Sequence, residues 1–170
     1  MRYPTTLVQT AAATALMAAT IGPKPAPRLL WNASESVPIG LYSVRRADQL
    51  NISDMVVAFP PEQLAIVLAD DGYLPHGIPL LKRVLALPPQ IVCRELLTIT
   101  VDGIAVGTAR ERDRRGRLLP SWQGCRALRH GEVFLMNPDK PTSLDGRYFG
   151  PLPVTVVIGR AVPLWTFKEK

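Results

Sequence analysis

The chain has 170 residues, 17 of them proline, and a formal net charge of +6. This length accommodates one domain with a substantial core and excludes two domains of ordinary size. Helical periodicity is scarce, which argues against a helical bundle. Short runs of Val, Ile, Leu and Thr, bounded by Gly, Pro, Asp or Asn, instead predict a mostly β fold with many turns.

The first residues are typical of an export signal or a weak membrane anchor. Arg2 gives a positive start, and Leu7 to Ile21 form an apolar, alanine-rich run. The run is shorter than the ~20 strongly apolar residues that a spanning helix needs. We therefore expect residues 1–22 to be a signal peptide or weak anchor, residues 23–30 a proline-rich linker, and residues 31–170 a domain outside the cytoplasm.

The remaining pattern predicts short strands and a single short helix. Alternating or continuous apolar runs between turn residues indicate the strands, and a pair of prolines opens the helix. Asp-Gly between two alternating runs is the signal of a type I′ hairpin turn. In chain order, the predicted elements are strands at 40–46 and 55–60, a helix at 60–74, a strand at 79–88, a hairpin at 97–106, and strands at 131–137 and 154–165.

A basic segment follows the hairpin. Between Arg110 and Arg129 there are seven arginines against Glu111 and Asp113, so this segment alone carries 7 − 2 = +5. Such a run is typical of a solvated loop or hairpin. If it binds a partner, anionic lipid headgroups fit better than nucleic acid, because the interleaved aromatics of single-strand binders are missing. No nucleic-acid partner is predicted.

The two cysteines predict a disulfide, and the two histidines predict surface positions. In an exported domain, Cys93 and Cys125 can form a disulfide, which would close the base of the arginine-rich segment. His76 and His130 lie far apart in turn-like surroundings, so we expect both at the surface and no His-based triad. The sequence shows no metal-ligand cluster, and neither a metal nor a cofactor is predicted.

Lys82 lies within the apolar run PLLKRVLALP, residues 79–88. On a strand, alternation sends Lys82 and Arg83 to opposite faces. A buried lysine has a lowered pKa, because desolvation disfavours the ammonium, and the neutral amine can serve as a general base. An outward-facing Lys82 would be an ordinary surface residue. The run alone leaves both interpretations open.

Two serines stand in the stretch WNASESVPIGLY, residues 31–42. If the segment is extended, Ser34 and Ser36 point to the same side, so one hydroxyl could attack while the other holds a developing oxyanion. A serine nucleophile needs a base, and a neutral lysine is an alternative to histidine. Serines next to Asn32 and Pro38 are equally compatible with a plain turn.

A third block, NPDKPTSLDGRYFGP, covers residues 137–151. Ser143, Asp145 and Arg147 alternate here and would share one side of an extended segment. Ser143 could hydrogen-bond the lysine amine and orient its lone pair, and Asp145 could pair with Arg147. The alternative is an Asp-Gly turn with a surface ion pair.

The joint order of SxSVPxG, LLKRVLALP and SLDGRYFGP resembles the three blocks of type I signal peptidases, which are membrane-associated serine/lysine proteases. The resemblance runs from about Asn32 to Pro151. The segment NASESVPIGLY is most similar to the TraF-type conjugal transfer peptidases, which mature pilin subunits. Two positions depart from the family: LPPQ stands where Leu-Pro-Gly-Asp is usual, and Gly146 where a serine is usual.

The resemblance implies a signal-peptidase-like β fold in which Ser36 is the nucleophile and Lys82 the general base. Ser34 would donate to the oxyanion together with the Ser36 backbone N–H. The supporting positions of the family fall on Ser143, which would orient the lysine, and on Asp145 and Arg147.

The function implied is an extracytoplasmic serine endopeptidase that processes a conjugative pilin precursor, in the periplasm or at the outer face of the inner membrane. Water could hydrolyse the acyl-enzyme, or the amino terminus of the pilin could capture it and close a ring. The main alternative is a general type I signal peptidase. A LexA-type repressor would need a helix-turn-helix where this chain has its leader, and a non-catalytic β module would carry the serine and lysine only as relics.

Overall fold

The computed structural model describes residues 8–11, 14 and 27–167. Residues 8–11 and 14 are helical, and the rest of the predicted leader lies outside the described residues. Within the described part, no helix is both long and apolar enough to cross a membrane. The first strand begins at Leu29, inside the predicted linker and two residues before the expected start of the domain.

The described chain is mostly β, which confirms the predicted fold class. Besides the helical residues 8–11 and 14, it contains the α-helix α1 (Glu62–Asp70), the one-turn helix α2 (Gly146–Phe149) and a 3-10 turn at Val154–Val156. The strands are β1 (Leu29–Asn32), β2 (Gly40–Arg45), β3 (Met55–Ala58), β4 (Leu80–Ala86), β5 (Ile91–Glu95), β6 (Thr98–Val101), β7 (Ile104–Thr108), β8 (Gly124–Ala127), β9 (Glu132–Leu135), β10 (Leu152–Pro153) and β11 (Val157–Thr166).

The strands form two antiparallel sheets. Seven of them follow the order β1-β2-β11-β3-β4-β9-β10, and the other four follow β7-β6-β5-β8. In the larger sheet β4 lies between β3 and β9, with Lys82 directly opposite Val56. Five of the seven residues of β4 are buried, because this central strand is covered on both faces. The apolar run seen in the sequence therefore reflects its position in the middle of the sheet.

The core has three apolar clusters. One packs the smaller sheet against Phe134 and Met136, a second lies around Val84 and Leu135, and a third surrounds Tyr42 beside the serine block. Since β4 contributes to all three, the strand that carries Lys82 is held from several directions. Apolar packing alone therefore fixes the position of the backbone at Lys82.

The predicted hairpin is confirmed. Its turn residues Asp102 and Gly103 have φ of +50° and +80°, as a type I′ turn requires. The predicted helix is present but shorter, and both histidines are exposed. The strands β1, β5, β8 and β10 were not predicted.

The predicted disulfide is confirmed. Cys93 on β5 and Cys125 on β8 are register partners and are joined by a bond that spans 32 positions of sequence. The bridge ties β8, to which the arginine-rich segment returns, to β5, whereas the segment leaves from β7, so the expected closure of its base is made at one end only.

Replacing both cysteines by serine should lower the free energy of unfolding by about 2–4 kcal/mol, because the unfolded chain regains the freedom of a long loop. Guanidinium unfolding with and without a reductant measures this. Reduced wild type should match the double variant, and an unchanged midpoint would show that the bridge contributes nothing to stability.

Candidate active site

Lys82 is buried, with 3% of its surface exposed. Its Nζ donates a hydrogen bond of 2.9 Å to Ser143 Oγ. Burial lowers the pKa of the lysine to about 8; the nearby Asp145 raises this pKa and Arg147 lowers it further. The interpretation of Lys82 as a surface residue is therefore wrong, and it is Arg83, only half-buried, that sits on the outer face. With a pKa of about 8, roughly one tenth of the amine is unprotonated at pH 7, and the neutral fraction grows as the pH rises.

The serine block is a turn rather than an extended segment, so the alternative of a plain turn is the one present. The turn nevertheless brings the two hydroxyls together, with Ser34 Oγ 2.9 Å from Ser36 Oγ. Ser34 Oγ also donates to Asn32 Oδ1 at 2.9 Å. Since a hydroxyl has only one proton, the hydrogen bond between the serines must be donated by Ser36.

Asn32 shapes this turn and was not singled out from the sequence. Its Nδ2 donates to the carbonyl oxygens of Ser34, Val37 and Pro38 at 2.8–3.1 Å, while its Oδ1 accepts from the Ser34 backbone N–H. One buried amide thus closes the turn on both sides. A signal was present, because an asparagine just before a Ser-x-Ser pair is a typical turn organiser.

The third block also differs from the extended segment that was expected. Asp145 is extended but caps the short helix α2, and Arg147 lies within that helix. The two side chains are 0% and 1% exposed and form a bidentate pair, with Nε–Oδ1 at 2.9 Å and Nη2–Oδ2 at 3.0 Å. The alternative of a surface ion pair is therefore wrong. A buried pair of this kind is a fixed structural unit beside Lys82.

Asn137 connects all three blocks. Its Nδ2 donates to Ser36 O at 2.9 Å and to Leu81 O at 3.2 Å, and its Oδ1 accepts from the Arg83 N–H. Its backbone N–H donates to Asp145 Oδ2. The residue therefore holds the serine turn against the lysine strand. No local pattern around Asn137 indicates this role, since the partners lie 56 and 101 positions away.

Ser36, Lys82 and Ser143 line one cleft with a volume of about 890 Å³. Within the described residues no hydrogen bond joins Lys82 Nζ to Ser36 Oγ, since each is bonded to another serine. Contacts of this kind are often loose before substrate binds. The segments 30–36 and 78–82 line the cleft, so β1 with the turn after it and the start of β4 form two of its walls.

Residues 2–165 match the family described as signal peptidase, peptidase S26. The chain belongs to this signal peptidase family. It is 34% identical over 147 residues to the conjugal transfer protein TraF of Agrobacterium fabrum, which covers 80% of this chain and 81% of that protein. The plasmid transfer protein TraF of Escherichia coli is 33% identical over 132 residues, covering 71% and 73%.

Among solved structures, a signal peptidase I from Enterococcus faecalis gives a TM-score of 0.39 at 17% identity and covers 66% of this chain and 97% of that one. Membership of the signal peptidase family makes the chain a serine peptidase of that type, and its relatives connect it with conjugal transfer. The family resemblance seen in the sequence is confirmed.

Both departures from the signal peptidase pattern have a physical reason. A Cβ at Gly146 would lie 2.6 Å from the Phe134 ring and 2.7 Å from Leu135 O, so the usual serine has no room where α2 crosses β9. After β4, the Gln90 side chain accepts from the Leu87 N–H and donates to Asp102. Gln90 therefore closes the turn and ties it to the hairpin of the smaller sheet.

We expect Asn137→Ala to lower kcat/KM at least tenfold and the free energy of unfolding by about 2–4 kcal/mol. The variant leaves the carbonyls of Ser36 and Leu81 without their donor in a buried place. Peptidase assays and urea unfolding measure the two effects. The exposed Asn51 offers the matched control, since Asn51→Ala should change neither. Full activity of Asn137→Ala would show that the serine turn is held by other contacts.

Proposed function

We propose that the chain is the peptidase that processes a conjugative pilin precursor, with Ser36 as nucleophile and Lys82 as general base. The observation that carries this proposal is the buried Lys82 amine, bonded to Ser143 in the cleft that also contains Ser36. A buried amine of lowered pKa is the kind of base that a serine needs in the absence of histidine. The TraF relatives are named for conjugal and plasmid transfer, which supports a substrate that belongs to the transfer apparatus.

In the proposed reaction Ser36 Oγ attacks a peptide carbonyl and gives its proton to Lys82. The Ser36 hydroxyl, which points to Ser34 in the resting state, turns toward the amine when substrate enters. The Ser36 backbone N–H donates to no group within the described part of the chain, so it is free to stabilise the oxyanion. Ser34 becomes the second donor once its O–H turns away from Asn32 Oδ1 and toward the oxyanion.

Lys82 then protonates the leaving amine, and an acyl-enzyme on Ser36 remains. Water hydrolyses it to release the cleaved chain, or the amino terminus of the pilin attacks it and closes a ring. Ser143 keeps the lysine amine in place through both steps. Asp145 and Arg147 hold this wall of the cleft rigid, which is how a buried pair assists a reaction that it does not touch.

We place the domain outside the cytoplasm and against the membrane, with residues 1–22 as signal or anchor and residues 31–170 as the peptidase domain. One exposed aromatic cluster supports a membrane face. Trp31, Trp165 and Phe167 are each about half exposed, and their ring centroids lie 4.6–6.5 Å apart. Aromatic side chains of this kind favour the membrane interface.

The test is to express a pilin precursor with the wild-type chain, with Ser36→Ala, or alone, and to measure the intact mass of the pilin. We expect a shortened product with the wild type only, and a further loss of one water if a ring closes. An ordinary secretory precursor is treated in parallel. Equal cleavage of both precursors would favour the general signal peptidase, and normal maturation with Ser36→Ala would refute the mechanism.

A further inference from the structure

The arginine-rich segment contains a well-ordered turn. Residues 111–119, the arginine hairpin, are joined by a bridge between Arg112 and Leu118. At its tip Asp113 accepts hydrogen bonds from the backbone N–H groups of Arg115 and Arg117 at 2.8 and 2.9 Å. This one carboxylate builds the turn, so the side chains at the tip do not have to hold it.

The hairpin is docked on the end of α1. Arg117 donates to Asp71 O and stacks over the Tyr73 ring, with its Cζ 4.3 Å from the ring centroid. Tyr73 Oη in turn donates to Leu118 O at 3.0 Å. Arg117 also pairs with Asp113. These contacts position the hairpin where it lines the cleft that contains Ser36.

Three arginines of this wall have side chains that could pair with a ligand. Arg110, Arg114 and Arg115 line the cleft, are exposed, and form no side-chain hydrogen bond or ion pair within the described part of the chain. Asp113, a carboxylate on the same lining, is already paired with Arg117. Of the carboxylates on the lining, Glu35 alone remains to oppose them, which leaves the cleft with an excess of two positive charges before Lys82 is counted.

We propose that this wall binds an acidic segment of the substrate polypeptide. The inference rests on the proposed function and adds a charge requirement to it: Arg114 and Arg115, with Arg110, pair with Asp or Glu side chains near the scissile bond. A guanidinium suits this role because its fork of N–H donors matches a carboxylate. The arginines of this wall would therefore contribute to substrate selection, together with the residues that contact the scissile bond itself.

The placement favours a peptide over a lipid headgroup. A substrate must enter this cleft to reach Ser36, so any group lying in the cleft competes with it or is part of it. A lipid headgroup bound in the cleft would block the substrate, whereas a headgroup site on a face outside the cleft would not. The arginines instead face the same space as the nucleophile.

The test uses the full chain with Ser36→Ala, so that bound peptide is not cut, and two fluorescein-labelled alanine-rich peptides. One peptide carries two Glu residues within four positions of an Ala-Ala bond, and the other carries Gln at the same positions. In fluorescence anisotropy at 0.1 M salt we expect the Glu peptide to bind about tenfold more tightly, which corresponds to about 1.4 kcal/mol. The preference should shrink at 0.5 M salt.

Adding Arg114→Gln and Arg115→Gln should remove the preference, and Arg114→Glu with Arg115→Glu should reverse it toward a Lys peptide. The matched control is Arg45→Gln with Arg46→Gln, which removes the same charge from exposed positions outside the cleft lining. This control should keep the preference. Equal binding of both peptides by the Ser36→Ala protein would overturn the inference.

Two further measurements separate the possible failures. Flotation with vesicles that contain 30% phosphatidylglycerol tests the lipid alternative: loss of vesicle binding in the Arg114/Arg115 variant, with peptide preference intact, would overturn the proposal. Precursor processing is measured separately on chains that retain Ser36. Processing without any charge preference refutes only the acidic-segment inference, whereas charge preference without processing refutes the pilin substrate and supports the acidic-peptide site.

Discussion

Lys82→Met is expected to lower kcat at least 10³-fold while leaving the folded protein as stable as the wild type or more stable at pH 7. Methionine fills the space of the lysine stem but cannot accept a proton from Ser36, and loss of a general base costs typically 10²–10⁴ in rate. Lys82→Arg should fail too, because guanidinium stays protonated. Peptidase assays on purified variants and urea unfolding at pH 7 measure the two quantities.

The stability half of this prediction follows from the lowered pKa of Lys82, about 8 against the ordinary 10.5. The folded state binds fewer protons than the unfolded chain between these two values, so stability from this group rises with pH across that window. Below pH 8 the buried ammonium is protonated at a cost on the order of 3 kcal/mol. Methionine removes this cost and loses one hydrogen bond to Ser143, worth about 1 kcal/mol.

The activity of the wild type should rise with pH along a limb centred near pH 8, since the base must be neutral to accept a proton. The matched control is Arg83→Gln on the neighbouring, outward-facing position, which should keep activity within about threefold and leave the limb in place. Activity in Lys82→Met above one-hundredth of the wild type would contradict the dyad. A clear loss of stability at pH 7 would contradict the account of the buried charge.

The sequence was informative where chemistry depends on local spacing. Strand-length runs, the Asp-Gly hairpin and the cysteine pair could all be predicted from neighbouring residues, and each is present in the structure. Lys82 could be named as a candidate functional residue because a charged side chain inside an apolar run is costly to bury. Its burial could not be decided locally, since alternation equally allows the outward position that Arg83 takes.

Contacts across long separations were beyond such reasoning. Asn137 donates to residues 56 and 101 positions away, and nothing in its own neighbourhood indicates this. The turn at Ser34 and Ser36 is local by contrast, because the Asn32 amide donates to carbonyls five and six positions away, and the sequence left a turn open as an alternative there. The one-turn helix after Asp145 is too short to leave a periodic pattern.

The pair of Asp145 and Arg147 should show the second large effect. Asp145→Ala leaves a guanidinium that is 1% exposed without its carboxylate, and breaking a buried pair in this way costs about 3–5 kcal/mol. The loss should appear in urea unfolding at pH 7. The exposed pair of Arg46 and Asp48, with side chains 91% and 83% exposed, is the control: Asp48→Ala should cost less than about 1 kcal/mol.

The variant Asp145→Asn distinguishes the effect of the Asp145 charge from the effect of its side-chain volume. The amide keeps the volume of the side chain, but the carboxylate that raises the pKa of Lys82 is gone, while Arg147, which lowers it, remains. The pH–activity limb should therefore move below that of the wild type. If the limb stays in place while stability falls, Asp145 acts on the fold alone; if stability is unchanged in Asp145→Ala, the buried pair is not the support that its geometry indicates. A shifted limb together with lower stability would mean that one carboxylate both holds this wall and tunes the base.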